Sequence, residues 1–241
     1  MKERIFKYIS IAVVLLIAIA FVAKFGGPAI LRAYVEIGMG DCEKLPILCL
    51  SPETEITDPP INEGYLAELL KYKFIDMQAH LPTGFSVAKE GVAGIHYRKK
   101  QASYGKDKGA IIYLLYEKPD FFISLFPQVK KQGTEDNYEF VARIMYAKTN
   151  NINNLTDTFF AIAKTIFTPN LGDQKNIKMV KFTINDKRGF ITYNLSALEN
   201  YFDCNIIDRQ GDFFKIYIKD KSAALDLNKV LTIVSTVNRV T

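Results

Sequence analysis

The chain has 241 residues, of which 49% are hydrophobic and 24% are charged, and these fractions exclude a disordered protein. Its 17 Phe and 13 Tyr residues supply bulky side chains for a sizeable core. The formal net charge is +5, but the first 24 residues carry four basic residues and one acidic residue. The rest of the chain has 27 basic and 25 acidic residues and is nearly neutral, so we predict no nucleic-acid partner.

An uncharged, strongly apolar segment follows a short N-terminal tail, and we predict that residues 8–25 form a transmembrane anchor. Lys7 and Lys24 bracket the apolar run, whose length as a helix comes close to the thickness of the hydrocarbon core. A cleaved signal peptide is the alternative, but the small residues that could mark a cleavage site lie inside the run. Because positive charge is concentrated before the anchor, we predict a single-pass protein with a cytoplasmic tail at residues 1–7 and a periplasmic or cell-surface body.

Residues 26–61 contain frequent Gly and Pro residues between short apolar clusters, and we predict a connector that leads away from the bilayer. Cys42 and Cys49 lie in this segment. Two nearby thiols outside the cytoplasm meet an oxidising environment, so we predict a disulfide between them. Their spacing does not match a CxxC redox motif, and zinc binding is the weaker alternative because two thiols supply only half of a tetrahedral site. Cys204 alternates with apolar neighbours and is predicted to be a small core residue.

The segment after the connector is predicted to contain a helix and then strands. Apolar residues recur at helical spacing over residues 62–74, and Asn62 can cap this helix. From Gln78 the pattern changes to alternation with turn residues, which predicts two antiparallel strands. The strongly apolar run at residues 109–118 predicts a further strand.

The second half of the chain is predicted to contain helices and two hairpins. A short helix should break near Pro127, whereas alternation over residues 138–149 favours a strand. The clearest helix lies before Pro169, with Asn154 or Thr156 as its cap. Alternating segments joined by Gly-containing turns predict two hairpins, at residues 177–195 and 201–220. An apolar stripe predicts a closing helix at residues 225–240.

This order of elements predicts an α+β fold for residues 62–241, with an antiparallel β-sheet and helices packed on its faces. The stretch LPTGFSV at residues 81–87, the paired hairpins and the closing VLTIVSTV at residues 230–237 resemble PsbP-like α/β/α sandwich domains. The resemblance covers about residues 62–241 and rests on short patterns. It implies an adaptor or assembly module, and it transfers no catalytic residue.

Two groups of residues are candidates for binding. Five basic residues lie close together in the sequence: Arg98, Lys99, Lys100, Lys106 and Lys108. They could contact an anionic partner, and the alternative is that they belong to a solvated hairpin loop. His80 and His96 could bind a metal with Asp76 or Glu90, but their spacing matches no metal motif and we predict no metal site. The chain has no phosphate-binding loop, nucleophile elbow or evident serine triad, so we predict no cofactor and no catalytic residue.

These observations predict a membrane-anchored exported module that works by binding a protein partner, as an accessory factor in an envelope complex. The alternatives are an anchored enzyme, for example a hydrolase, and a binder of a small apolar ligand or lipid. A flat exposed apolar patch would favour the first function. A deep pocket with convergent polar groups would favour the second, and a dry elongated pocket the third.

Overall fold

The computed structural model describes residues 26–90, 94–99, 110–196 and 198–240. Its helices are α1 (Gly27–Met39), α2 (Glu63–Glu68), α3 (Phe121–Leu125), α4 (Pro127–Lys130), α5 (Asn137–Tyr146), α6 (Leu155–Phe167) and α7 (Leu227–Ser235). Its strands are β1 (Thr54–Thr57), β2 (Leu70–Phe74), β3 (Met77–Leu81), β4 (Phe85–Glu90), β5 (Gly94–Lys99), β6 (Ile111–Glu117), β7 (Ile177–Ile184), β8 (Lys187–Asn194), β9 (Asn200–Ile207), β10 (Phe213–Asp220) and β11 (Asn238–Arg239).

The strands form a main sheet and a small sheet. The main sheet has eight strands in the order β1-β7-β8-β9-β10-β6-β5-β4, and the small sheet has the order β11-β3-β2. Neighbours in the main sheet are antiparallel, apart from β1, which pairs in parallel with β7. The predicted α+β class is therefore confirmed, with a mixed rather than a purely antiparallel sheet.

The two predicted hairpins, β7–β8 and β9–β10, are confirmed and form the middle of the main sheet. Ile184 pairs with Lys187, so two residues make the first turn, and Asn185 adopts the positive φ of 53° that such a turn requires. Gly189 permits close contact between the hairpins, because a Cβ atom there would lie 1.9 Å from the carbonyl oxygen of Asn205. The two-residue turn at Asn185 and the close contact between Gly189 and Asn205 thus help to set the register of these four strands.

Each face of the main sheet packs against its own apolar cluster. On one face, α7 and the small sheet cover the strands, with Val230 and Met77 fully buried. On the other face, the strands pack against α3, α4, α5 and α6, with Phe140 and Phe160 in the cluster. Every residue of β9 is buried, because both layers cover this central strand.

The prediction of a strand over residues 138–149 is wrong, because this segment forms α5. The Asp136 side chain caps the helix by accepting a hydrogen bond from the Glu139 amide at 2.8 Å. Phe140 and Ile144, which fit an alternating pattern, also lie one helical turn apart and are both buried. The predicted helix over residues 62–74 is also too long, since α2 ends at Glu68 and β2 follows it.

The segment predicted as a connector, residues 26–61, contributes α1 and β1 to the folded domain. α1 packs on α6, with Val35 buried beside Ala161. The Nε atom of Arg32 also donates a hydrogen bond to the carbonyl oxygen of Ile152 at 3.0 Å. The segment is therefore part of the folded domain rather than a spacer, with Val35, Ile47 and Leu48 buried, which corrects the prediction.

The predicted anchor at residues 8–25 and the predicted tail at residues 1–7 lie outside the described residues. Across the ranges that the structure does describe, no helix has both the length and the apolar character needed to cross a bilayer. The anchor and its orientation therefore stay predictions.

Candidate functional site

The predicted disulfide between Cys42 and Cys49 is confirmed, and the Cα atoms of the two residues are 5.6 Å apart. Both sulfur atoms contact the Thr149 hydroxyl, at 3.5 Å and 3.3 Å. Ile47 and Leu48, inside the loop that the bond closes, are buried. The disulfide therefore fixes a packed loop against the domain and has a structural role.

We expect a double variant with Cys42→Ser and Cys49→Ser to be about 2–3 kcal/mol less stable than the wild type, because the short closed loop gains freedom in the unfolded chain. Urea unfolding of the full chain in detergent micelles measures this difference. A reductant should lower the wild type to the level of the variant and leave the variant unchanged. Equal stability of oxidised and reduced wild type would contradict the structural role.

Cys204, the third cysteine, is free and buried in the core, as predicted. Burial raises the pKa of its thiol well above the usual value, with a smaller contribution from the neighbouring Asp203. A buried thiol that stays protonated is a poor nucleophile, so Cys204 is a packing residue.

A buried lysine, Lys164, connects three segments of the chain. Its Nζ atom donates hydrogen bonds to the carbonyl oxygens of Leu50, Met145 and Ala147, at 2.5, 2.8 and 2.8 Å. Burial lowers the pKa of Lys164 to about 7, with repulsion from Lys148 as a second cause. Its three N–H groups are used by these carbonyls, so we assign Lys164 to structure rather than to chemistry.

A buried ion pair joins Asp203 on β9 to Lys215 on β10, beneath the end of α6. The Lys215 ammonium is 2.8 Å from Oδ1 and 2.9 Å from Oδ2 of Asp203. It also donates to Asn205 Oδ1 at 3.0 Å and to the Phe167 carbonyl oxygen at 2.8 Å. Burial raises the pKa of Asp203, and the nearby ammonium opposes this rise. The pair is neutral as a whole and hydrogen-bonded within the core.

A groove of about 390 Å³ lies over this pair, between the end of α6 and the strands β6 and β10. Ile166 is 79% exposed beside it. Because Asp203 neutralises Lys215, the groove offers no uncompensated charge and suits an apolar group. Its lining residues, hereafter the α6 groove, are Ile111, Tyr113, Ile166, Phe167, Pro169, Lys215 and Tyr217.

Helix α1 presents large apolar side chains to water on a different face from the one that contacts α6. Ile30, Tyr34 and Ile37, hereafter the α1 stripe, are 67%, 69% and 86% exposed. Their spacing places them on one side of the helix, whereas Leu31 and Val35 pack inward. Three exposed apolar side chains in a row are typical of an interaction surface.

A smaller cavity of about 230 Å³ lies between α2, the turn before β4 and the start of α7. The hydroxyl group of Tyr65 is buried there, and no hydrogen-bond partner for it exists in the part of the chain that the structure describes. We refer to this space as the Tyr65 cavity. It combines aromatic, apolar and charged lining residues.

The predicted anionic contact is described only in part. Arg98 and Lys99 end β5, where the backbone of Arg98 pairs with that of Ile111. Ile111 lines the α6 groove, so β5 passes beside it. The other three basic residues of this prediction, Lys100, Lys106 and Lys108, lie outside the described residues. Contact with an anionic partner therefore stays a prediction.

The two histidines lie in different sheets. His80 is in β3 of the small sheet, where its backbone N–H donates to the Thr236 hydroxyl at 2.8 Å, and His96 is in β5 of the main sheet. Within the described ranges, no group of three or more His, Cys, Asp or Glu side chains could hold a metal ion.

The buried charges were missed by the sequence interpretation, although a signal exists for one of them. Lys164 interrupts an apolar stretch of helix, whereas Asp203 and Lys215 lie at positions where their strands also carry Asn205 and Lys219 and give no such signal. A charged residue at a predicted core position indicates a buried polar partner. The sequence does not say which partner, because the contacts join distant segments.

Comparisons with known proteins add little to this description. No family model matches the sequence, and no curated protein matches it. One solved structure that it resembles is a crystal structure of a protein from Bacteroides thetaiotaomicron VPI-5482, with 7% sequence identity and a TM-score of 0.34. That match covers 72% of this chain and 49% of the other, so the chain spans about half the length of that protein. We base no functional argument on a likeness this low.

Proposed function

We propose that the protein is a membrane-anchored exported binding module that serves as an accessory factor in an envelope complex. The α1 stripe is the observation that carries this proposal. Burying a large apolar side chain is worth about 1.5–3 kcal/mol relative to leaving it exposed, so a partner that covers the stripe would gain stability from it.

The position of the stripe supports a partner in or beside the membrane. α1 begins at Gly27, two residues after the predicted anchor ends at residue 25. In the proposed topology the stripe therefore lies next to the bilayer, within reach of a membrane protein. An adaptor role is also what the resemblance to PsbP-like domains implies.

The polar groups of the core favour binding over catalysis. The buried lysines of the described residues are Lys164, Lys187 and Lys215. Lys164 and Lys215 are held by hydrogen bonds to several acceptors, and Lys187 pairs with the Asp186 carboxylate at 2.7 Å. A catalytic lysine needs an amino group that is free to react with substrate, and the amino groups of these three lysines are already bonded to protein acceptors.

Photocrosslinking in native membranes tests the proposal. A photoreactive residue at position Ile37 should form adducts with one defined envelope protein, identified by mass spectrometry. The matched control carries the same photoreactive residue at Lys178, an exposed position on β7, and should give no such adduct. Absence of a protein adduct at position 37, or equal labelling at both positions, would count against an assembly role.

The α6 groove supports a second candidate function, the binding of a small apolar ligand or lipid. It lies between a helix and a sheet and is lined mainly by apolar and aromatic side chains. In the same experiment, a photoreactive residue at Ile166 should give lipid adducts if this function is correct. Recovery of lipid at Lys178 to the same extent would show non-specific labelling and contradict it.

A further inference from the structure

Helix α6 carries a second row of large apolar side chains that reach water. Leu155 and Ile166, near its two ends, are 75% and 79% exposed. Phe159 and Ile162 lie between them and are partly buried. At about 100° of rotation per residue, these four positions fall within roughly 60° of one another and form one row, hereafter the α6 stripe. Its steps of four, three and four residues are those of a seam between packed helices.

The α6 stripe and the α1 stripe face the same side of the domain. The two helices run parallel, because Met39 at the end of α1 contacts the Thr165 hydroxyl near the end of α6, at 3.8 Å from its sulfur atom. Nearer the other end, Arg32 bonds to the carbonyl oxygen of Ile152, just before α6 begins. On each helix the stripe lies roughly 110° from the side that packs on the other helix, in opposite rotational senses. The two rows therefore form one surface, hereafter the two-helix face.

Neither row of the two-helix face contains a charged residue. The charged residues of α1 are Arg32 and Glu36, and those of α6 are Asp157 and Lys164. All four lie more than about 120° around their helices from the centre of the stripe. A helix normally turns its charged residues to solvent and its apolar residues to the protein. An exposed face with the opposite character indicates that another apolar surface covers it.

A second copy of this chain suits a face of this kind. In a symmetric pair the same surface patch meets itself, so a charge on it would meet its own like charge. The absence of charge from both rows removes this repulsion. The steps of the α6 stripe also read the same in both directions, so two α6 helices can interlock whether they run parallel or antiparallel.

The size of the face is in the range that pairing needs. Burying one large apolar side chain removes roughly 60–120 Å² of apolar surface from water. The five most exposed side chains of the two-helix face therefore offer about 300–600 Å², the size of an apolar patch that marks an interaction site. Phe159, Ile162 and the backbone of both helices add to this area. The sum approaches the roughly 800 Å² that each partner buries in a stable interface.

We propose that two copies of this chain pair through the two-helix face, with their α6 stripes in contact and their α1 stripes beside them. The inference rests on the proposed binding function, because it names the partner that covers the α1 stripe. In the proposed topology one bilayer holds both copies, which raises their effective concentration. The photoreactive residue at Ile37 should then capture a second copy of the chain.

Thiol crosslinking in native membranes tests the pairing. The chain's own cysteines do not interfere, because two form the disulfide and the third is buried. The variants Leu155→Cys and Ile166→Cys should give an oxidised product of twice the chain mass. Each variant alone should crosslink if the α6 helices run parallel, and only the two variants expressed together if they run antiparallel. Lys178→Cys, at the exposed position on β7, is the matched control and should stay uncrosslinked.

Charged variants separate pairing from folding. Copies labelled at Lys178→Cys and extracted in lipid nanodiscs should bleach in two steps in the wild-type background. Leu155→Glu with Ile166→Glu should shift this to one step, because like charges meet in the paired face, and lysine at both positions should do the same. Glu and Lys chains expressed together should restore two steps. Both positions are exposed, so each variant should keep the circular dichroism spectrum of the wild type.

Two results overturn the pairing: thiol crosslinking no stronger than at Lys178→Cys, alone and in the mixture, or Glu variants that still bleach in two steps. The photoreactive residue at Ile37 separates this failure from that of the proposed function. An adduct with a different protein, together with uncrosslinked thiols, overturns the pairing and leaves the assembly role. Lipid adducts without any protein adduct assign the face to the bilayer surface and overturn both.

Discussion

Replacing Asp203 by Ala is expected to destabilise the protein by about 3–5 kcal/mol, because the change leaves the Lys215 ammonium buried without a counter-charge. In the native protein the ammonium lies 2.8 Å from the Asp203 carboxylate. Its other acceptors, Asn205 Oδ1 and the Phe167 carbonyl oxygen, are uncharged and do not replace the carboxylate. Whole domains are stable by about 5–15 kcal/mol, so this loss is a large share.

Urea unfolding of the full chain in micelles measures this effect, and two further variants interpret it. The double variant Asp203→Ala with Lys215→Met should recover most of the lost stability, because removing both buried charges is often close to neutral. Glu55→Ala is the surface control, since its 2.9 Å pair with Lys181 is solvent-exposed and worth at most about 1 kcal/mol. If Asp203→Ala loses no more stability than Glu55→Ala, the buried pair has been misassigned.

The elements that could be predicted from the sequence depend on local patterns. The hairpins have alternating strands and recognisable turns, and the Asn154 side chain caps α6 by accepting hydrogen bonds from two backbone N–H groups, as its position suggested. The error at α5 has a local cause as well. Asp136 followed three residues later by Glu139 is a capping signal that the interpretation of this segment did not use.

The features that could not be predicted depend on contacts between distant segments. β1 joins the main sheet because Thr54 pairs with Val180, and no property of residues 26–61 alone specifies that pairing. The partners of Lys215 likewise come from β9 and from the end of α6, positions that only the register and the helix packing bring together. The disulfide was predictable because both cysteines lie in one short segment.

Replacing Lys164 by Met is expected to destabilise the protein by about 2–4 kcal/mol near pH 9, since the buried carbonyl groups lose the N–H donors of the neutral amine while the volume stays nearly filled. The carbonyl groups belong to Leu50, Met145 and Ala147, so the loop after the disulfide and the end of α5 should both loosen. Hydrogen exchange at these segments would locate the change.

The same lysine should make the stability of the wild type rise with pH. Burial lowers the folded-state pKa of Lys164 to about 7, whereas an unfolded lysine has a pKa of about 10.4. Between these values the unfolded state binds more protons than the folded state, so stability increases with pH. Below pH 7 both states are protonated and the contribution of Lys164 no longer changes.

The rise should amount to at most about 1.4 kcal/mol per pH unit between pH 7 and about 8.5. The upper limit is set by Cys204, because burial raises the pKa of its thiol in the folded state, whereas the unfolded thiol ionises above about pH 8.5 and so opposes the rise. Three tyrosines with pKa values raised by burial oppose it further at higher pH: Tyr65, Tyr116 and Tyr217. Lys164→Met should remove this slope, whereas Lys148→Met should keep it in weaker form, since repulsion from Lys148 is a secondary cause. If the wild type and Lys164→Met show the same slope, Lys164 stays charged in the fold, and its three carbonyl bonds outweigh the cost of burial.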